Sequence, residues 1–181
     1  MTFLELAKSR CTTRGFTPQA IPGADIDYIL NAGRAAPTAC NRQPQRIIVL
    51  QSADALEKVK KAYETFNAPC VFIVCRDTRD ELIRPWDGKC SGDIDMGIVS
   101  DHMMLAARER GIGSVLVGLF DPHIIRREFG MPGYIEPTTL LILGYPEKGF
   151  LASDRHDETR KPLSETVMYE EYNERVIPPI A

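Results

Sequence analysis

Cys70-Val-Phe-Ile-Val-Cys75 is an unbroken apolar run, bounded by Pro69 and Arg76, without glycine or proline inside it. A run this short and this rich in β-branched side chains reads as a buried strand. Side chains alternate between faces along a strand, so the odd separation of Cys70 and Cys75 sends their thiols to opposite faces, where they cannot share a metal. Upstream, Arg46-Ile-Ile-Val-Leu50 has the same character. Downstream, Ser114-Val-Leu-Val117 and Thr138 to Leu143 complete a set of four strands, the last closed by Gly144.

Helix signals fill the intervals. Thr2-x-x-Glu5 is a capping box opening a helix that runs to about Ser9. Ile26, Ile29 and Leu30 sit at helical spacing between Pro22-Gly23 and Pro37. Ser52 is an N-cap for a helix expected to reach about Phe66. Asp93 to Arg110 is helical in pattern and Gly111 ends it, while Asp121-Pro122 pairs an N-cap with proline at the first helical position. Arg76 to Gly92 is charged and turn-rich, and it holds the single tryptophan, Trp86. Strands alternating with helices make the chain α/β or α+β, one core sheet with helices on its faces.

Composition narrows the function. The 181 residues are 44% hydrophobic and 26% charged, ordinary globular values that exclude a disordered or fibrous chain. A net charge of −3 disfavours non-specific nucleic-acid binding, and no apolar run approaches the ~20 residues of a membrane helix. Cys11, Cys40, Cys70, Cys75 and Cys90 are odd in number and contain no Cys-x-x-Cys pair, which points to reduced thiols and a cytoplasmic protein without zinc or iron–sulfur clusters. Val176-Ile-Pro-Pro-Ile180 cannot be helical; it is either an arm packed on a second subunit or a frayed tail.

Familiar chemistry is mostly absent from the sequence. Gly111-x-Gly113 lacks the third glycine of a dinucleotide fingerprint and leads from helix to strand, the reverse of that motif. Asp93 and Asp95 complement the dipole of the helix they open. His102, His123 and His156 share no ligand spacing. Two stretches stand out. Arg10, Thr12 and Arg14 directly follow a helix, and their side chains suit a phosphate or a planar polar edge, although a solvated helix end explains them equally. Ala36-Pro-Thr-Ala-Cys-Asn41-Arg-Gln-Pro44 is a proline-rich loop of small residues that lets backbone approach a flat ligand, or else a plain helix-to-strand connection.

Taken in order, these stretches resemble the nitroreductase family. Arg10-Cys-Thr-Thr-Arg14-Gly-Phe16 is similar to the family's Arg-x-Ser-x-Arg-x-Phe opening, with Thr12 for serine. The loop from Ala36 to Pro44 resembles its Ala-Pro-Ser-x-x-Asn-x-Gln-Pro segment. Asp95-Met-Gly-Ile98, continuing through Leu105-Ala-Ala-Arg-Glu-Arg-Gly-Ile-Gly-Ser114, looks like its central helix and strand entry, and Arg160-Lys-Pro-Leu163 like its C-terminal motif.

The resemblance implies an α+β fold, a central mixed or antiparallel sheet flanked by helices. It implies an FMN-binding domain over residues 1–165 and a C-terminal extension, 166–181, that packs as an arm on the partner of a homodimer. It further implies FMN as cofactor, NADH or NADPH as hydride donor, and a small planar acceptor such as a nitroaromatic, quinone or activated alkene, served by a ping-pong mechanism. Arg10 and Thr12, with Cys11 between them, would hold the FMN phosphate and ribityl chain, and Arg14 the N1 and C2 carbonyl edge. Pro37, Thr38, Ala39 and Asn41 would reach the flavin of the other subunit, Val117 and Gly118 would offer backbone near N5, and Arg160 with Lys161 would complete the phosphate clamp. A fixed cation near N1 favours hydride uptake, and hydride transfer at N5 needs no general base. Cys11 and Cys40 stand beside this flavin as inert or redox-active thiols, and Trp86 either lines the substrate opening or packs on the core. The alternative function is a flavin-binding or flavin-handling protein without nicotinamide-driven turnover.

Overall fold

The computed structural model describes residues 1–149 and 155–172, except for the side chains of 155 and 157. The expected arm around Val176–Ile180 lies outside the described residues. The chain divides into two compact units, Met1–Leu151 and Ala152–Ala181.

The first unit runs α1 (Phe3–Ser9), α2 (Gly23–Ala35), a single 3-10 turn at Ala39–Asn41, β1 (Gln45–Leu50), α3 (Ala53–Lys60), β2 (Cys70–Asp77), α4 (Gly92–Glu109), β3 (Gly113–Val117), α5 (Pro122–Glu128) and β4 (Ile135–Gly144). The strands form one sheet in the order β1-β2-β4-β3, every pair antiparallel. Cys70 and Cys75 lie on opposite faces, as alternation requires. Cys70, Phe72 and Val74 face Ile26 and Ile29 of α2 and Met96, Val99 and Met103 of α4. Val71, Ile73 and Cys75 face the opposite cluster, with Phe16, Val59 of α3 and Ile125 of α5. Burial pushes both thiols up, each to about 12, with Arg126 and Glu136 acting in opposite directions on Cys75, so neither is a thiolate at neutral pH.

The capping signals hold. The Thr2 hydroxyl accepts from Glu5 N–H and Thr2 N–H donates to the Glu5 carboxyl; Ser52 accepts from Ala55 N–H; Asp121 accepts from His123 and Ile124 N–H. Gly111 leaves α4 at φ 73, a conformation that costs glycine little.

Two elements depart from their sequence readings. The helix after Ser52 stops at Lys60, well short of Phe66: Lys61 and Ala62 N–H donate three residues back, to the Lys58 and Val59 carbonyls at 3.3 and 2.8 Å, and the chain then turns left-handed at Phe66 and Asn67 (φ 55 and 58). β4 begins at Ile135, before Pro137, which the sequence reading left outside the strand. Pro137 faces Cys75 where the β2–β4 register shifts, and β3 pairs only with Leu140 to Gly144, so proline removes no bond on that side. Trp86 does not pack on the core; it is 87% exposed on the turn between Ile83 and Cys90.

In the second unit, α6 (Arg155–Thr159) and α7 (Leu163–Thr166) are short helices that the polar sequence did not announce. Arg160 and Lys161 lie exposed between them, and Arg160 N–H donates to the His156 carbonyl at 3.2 Å.

Candidate functional site

The segment after α1 is laid along the open edge of β3. Thr12 bridges Ser114 in parallel, with Thr13 N–H donating to the Ser114 carbonyl at 3.0 Å. Phe16 bridges Pro146, and Thr17 N–H donates to the Tyr145 carbonyl at 2.8 Å. Phe16 is almost fully buried and fixes the segment from below. Gly113 makes the approach possible, since a Cβ there would lie 2.7 Å from Thr13 Oγ1 and 2.9 Å from Pro146 Cγ. A cavity of about 370 Å³ opens above this strip, walled by Cys11, Thr12, Thr13, Arg14 and Gly15 on one side and Pro146, Glu147, Lys148 and Gly149 on the other.

Two cations of this segment lack carboxylate partners among the described residues. Most arginines of the first unit are engaged by carboxylates or aromatic rings. Arg10 and Arg14 form no ion pair with any described residue. Thr13 Oγ1 is buried in the cavity wall without a hydrogen-bond partner among the described residues. Two guanidinium groups without an ion pair fit an anionic, oxygen-rich ligand, because the guanidinium fork pairs bidentately with oxygens.

The loop from Ala36 to Pro44 is placed elsewhere, at the opposite end of α4. Ala39 N–H donates to Asp95 Oδ1 at 2.9 Å in the first turn of that helix. The Arg10 segment meets the last turn, where Arg108 Nε donates to Ser9 Oγ at 3.0 Å. From Asp95 to Arg108 the helix rises about 20 Å. Within one chain, therefore, Arg10, Cys11, Thr12 and Arg14 stand together, whereas Pro37, Thr38, Ala39 and Asn41 stand apart from them. Val117 and Gly118 continue from the strip, about 10 Å along β3 beyond Ser114. Cys11 lines the cavity, and Cys40 is exposed on the loop.

The loop is shaped without a ligand. Cys40, Asn41 and Gln43 all have positive φ (50, 54 and 52). Thr38 Oγ1 accepts from Gln43 N–H at 3.0 Å, Gln43 Nε2 donates to the Asn41 carbonyl at 3.1 Å, and Arg46 Nη1 donates to the Gln43 carbonyl at 3.2 Å.

Residues 7–65 and 58–145 match the sequence profile of the nitroreductase family. The chain belongs to that family. The crystal structure of a nitroreductase family protein from Clostridium difficile is 44% identical and superposes with a TM-score of 0.93, covering 95% of this chain and 100% of that one. A relative from Methanothermobacter thermautotrophicus, whose name couples NADH dehydrogenase with NAD(P)H nitroreductase, is 31% identical over 169 residues, 88% of this chain and 85% of its own. The FMN reductase (NAD(P)H) of Bacillus subtilis is 22% identical over 152 residues, 74% of this chain and 61% of its own. The α+β fold with its antiparallel sheet is thus the nitroreductase fold.

Sequence reasoning missed several residues that build this cavity and its surroundings. Thr13 and Gly113 shape the cavity wall, and Glu147 and Lys148 face the arginine segment across it. Asp95, read as a partner for the helix dipole, is 2% exposed and holds the Ala39 loop. Ser114 reads from sequence only as a strand entry, yet its carbonyl accepts from Thr13 N–H. Among the described residues, no cluster of histidine, cysteine, aspartate and glutamate could hold a metal.

Proposed function

We propose that the protein is an FMN-dependent oxidoreductase that passes hydride from NADH or NADPH to a small planar acceptor, a nitroaromatic, quinone or activated alkene, by a ping-pong sequence. The single observation carrying this reading is that Arg14, in the cavity wall, and Arg10, just before it, form no ion pair with any described residue beside the Thr12–Thr13 strip, in a chain of net negative charge. When bound, FMN supplies a hydride-accepting N5, a chemistry that no side chain provides. The protein's share is positioning and electrostatics. Arg10 and Thr12 bind the phosphate and ribityl oxygens, with Cys11 packed between them. Arg14 holds positive charge against the N1 edge, which favours the reduced form. Val117 and Gly118 present backbone beside N5. Arg160 and Lys161 join the phosphate clamp, a role taken from their sequence motif alone.

The active form in this reading is a homodimer, which the separation of strip and loop along α4 supports. One chain offers its arginine strip and its partner offers Pro37, Thr38, Ala39 and Asn41, so two copies complete each flavin site. The extension 166–181 serves that dimer as an arm. Purified protein should be yellow and bleach under anaerobic conditions with NADH or NADPH, and acceptor should restore the colour. A colourless protein that takes up no FMN would refute the proposal, and a yellow one that neither nicotinamide bleaches would favour a flavin-binding protein without turnover.

A further inference from the structure

Asp95 is a carboxyl group almost wholly removed from water, in the first turn of α4. The helix dipole does not require that burial, because Asp93 in the same turn stays at the surface, 3.4 Å from Arg76 Nε. Two accepted hydrogen bonds account for it instead. Oδ1 takes the Ala39 N–H at 2.9 Å and Oδ2 takes the Ser91 hydroxyl at 2.8 Å. Ser91 in turn accepts from Leu82 N–H at 3.3 Å and donates its own N–H to the Leu82 carbonyl at 2.9 Å. One side chain thus ties the 37–43 loop to α4 and, through Ser91, to the turn that carries Trp86. The loop it grips holds three non-glycine residues with positive φ, which persist only where neighbours over-determine them.

We infer that Asp95 is a positioning residue: acting through Ala39 N–H, it holds Thr38 to Asn41 in the shape that receives the partner chain's flavin, without touching the cofactor itself. The receiving role rests on the flavin reading above; the holding role does not.

Asp95→Ala removes both acceptors and leaves the Ala39 N–H without its partner. Asp95→Asn keeps an oxygen for Ala39, and its amide N–H donates to Ser91 Oγ. Both are to be measured as the full-length chain, by backbone hydrogen exchange across residues 38–43 without FMN, and by FMN affinity from fluorescence quenching. In Asp95→Ala, exchange at Ala39–Gln43 should rise about tenfold or more, and FMN should bind about tenfold to a hundredfold more weakly. Asp95→Asn should return both quantities to within about threefold of the parent, since it restores the acceptor. Arg10→Ala should weaken FMN yet leave exchange at 38–43 alone.

Parent-like exchange in Asp95→Ala, or no rescue by Asp95→Asn, overturns the inference. If Asp95→Ala does not fold, Ser91→Ala removes the Oδ2 bond and the acceptor of Leu82 N–H while leaving Oδ1 on Ala39, and should raise the same exchange by about threefold; unchanged exchange there overturns it equally. A parent protein that binds no FMN defeats the flavin reading, and the exchange comparison then still decides whether Asp95 holds the loop.

Discussion

The two ends of α4 are built on opposite principles. At its N-terminal end the 37–43 loop is satisfied by the protein itself, through Asp95, Thr38, Gln43 and Arg46. At its C-terminal end the Arg10–Arg14 segment is fixed in its backbone, but its cations form no ion pair with the described residues and α1 before it buries no residue. A pre-shaped loop costs little ordering when a ligand arrives, whereas unpaired charge supplies the attraction. Shape at one end and affinity at the other is what a site shared between two copies needs.

The comparison can be broken at either end. The largest effect is expected from Phe16→Ala, which removes the anchor beneath the arginine strip. It should destabilise the fold by about 3–5 kcal/mol, seen as a lower thermal midpoint, because a buried aromatic leaves a cavity. Next comes Arg10→Ala with Arg14→Ala. This double variant should bind FMN about a hundredfold or more weakly in titration, yet keep the thermal midpoint of the ligand-free chain, since neither arginine is paired in it.

A third effect sharpens the loop end by pH. Asp77 closes that region, its N–H donating to the Pro44 carbonyl at 2.8 Å. Arg79, bonded to both its carboxyl oxygens at 2.7 and 2.8 Å, holds it down to about 2 with help from Arg46. A carboxylate depressed in the folded state lends stability above its unfolded value of about 3.9 and loses it as pH falls towards 2. Thermal midpoints should therefore fall between about pH 4 and pH 2, and Asp77→Asn should flatten that limb. The smallest effect concerns thiols: Cys40 should label first with a maleimide in the native chain, and Cys70 and Cys75 only on unfolding.

Local signals carried most of the architecture. Thr2, Ser52 and the Asp121-Pro122 pair each bond within their own helix turn, so nearby residues announce them. The exit of α3 was not legible because the chain tightens into i→i−3 turns at Lys61 and Ala62, which apolar spacing does not encode. Pro137 concealed the start of β4, since its tolerance depends on where β3 stops pairing. Motif residues from Arg10 to Arg14 were readable in order, but not that α4 would hold them about 20 Å from the loop. Asp95 was unreadable for the same reason: its partner Ala39 lies 56 residues away.

Subunit complementation tests the shared site most directly. Chains carrying Arg10→Ala with Arg14→Ala lack the strip, and chains carrying Thr38→Ala with Asn41→Ala lack the loop. Each should fail to retain FMN alone. Co-expressed and purified as a mixed dimer, they should regain one intact flavin site of two, because the surviving strip and the surviving loop then meet across the interface. A mixed dimer that retains no FMN would mean that strip and loop serve one flavin within a single chain, and would contradict the account.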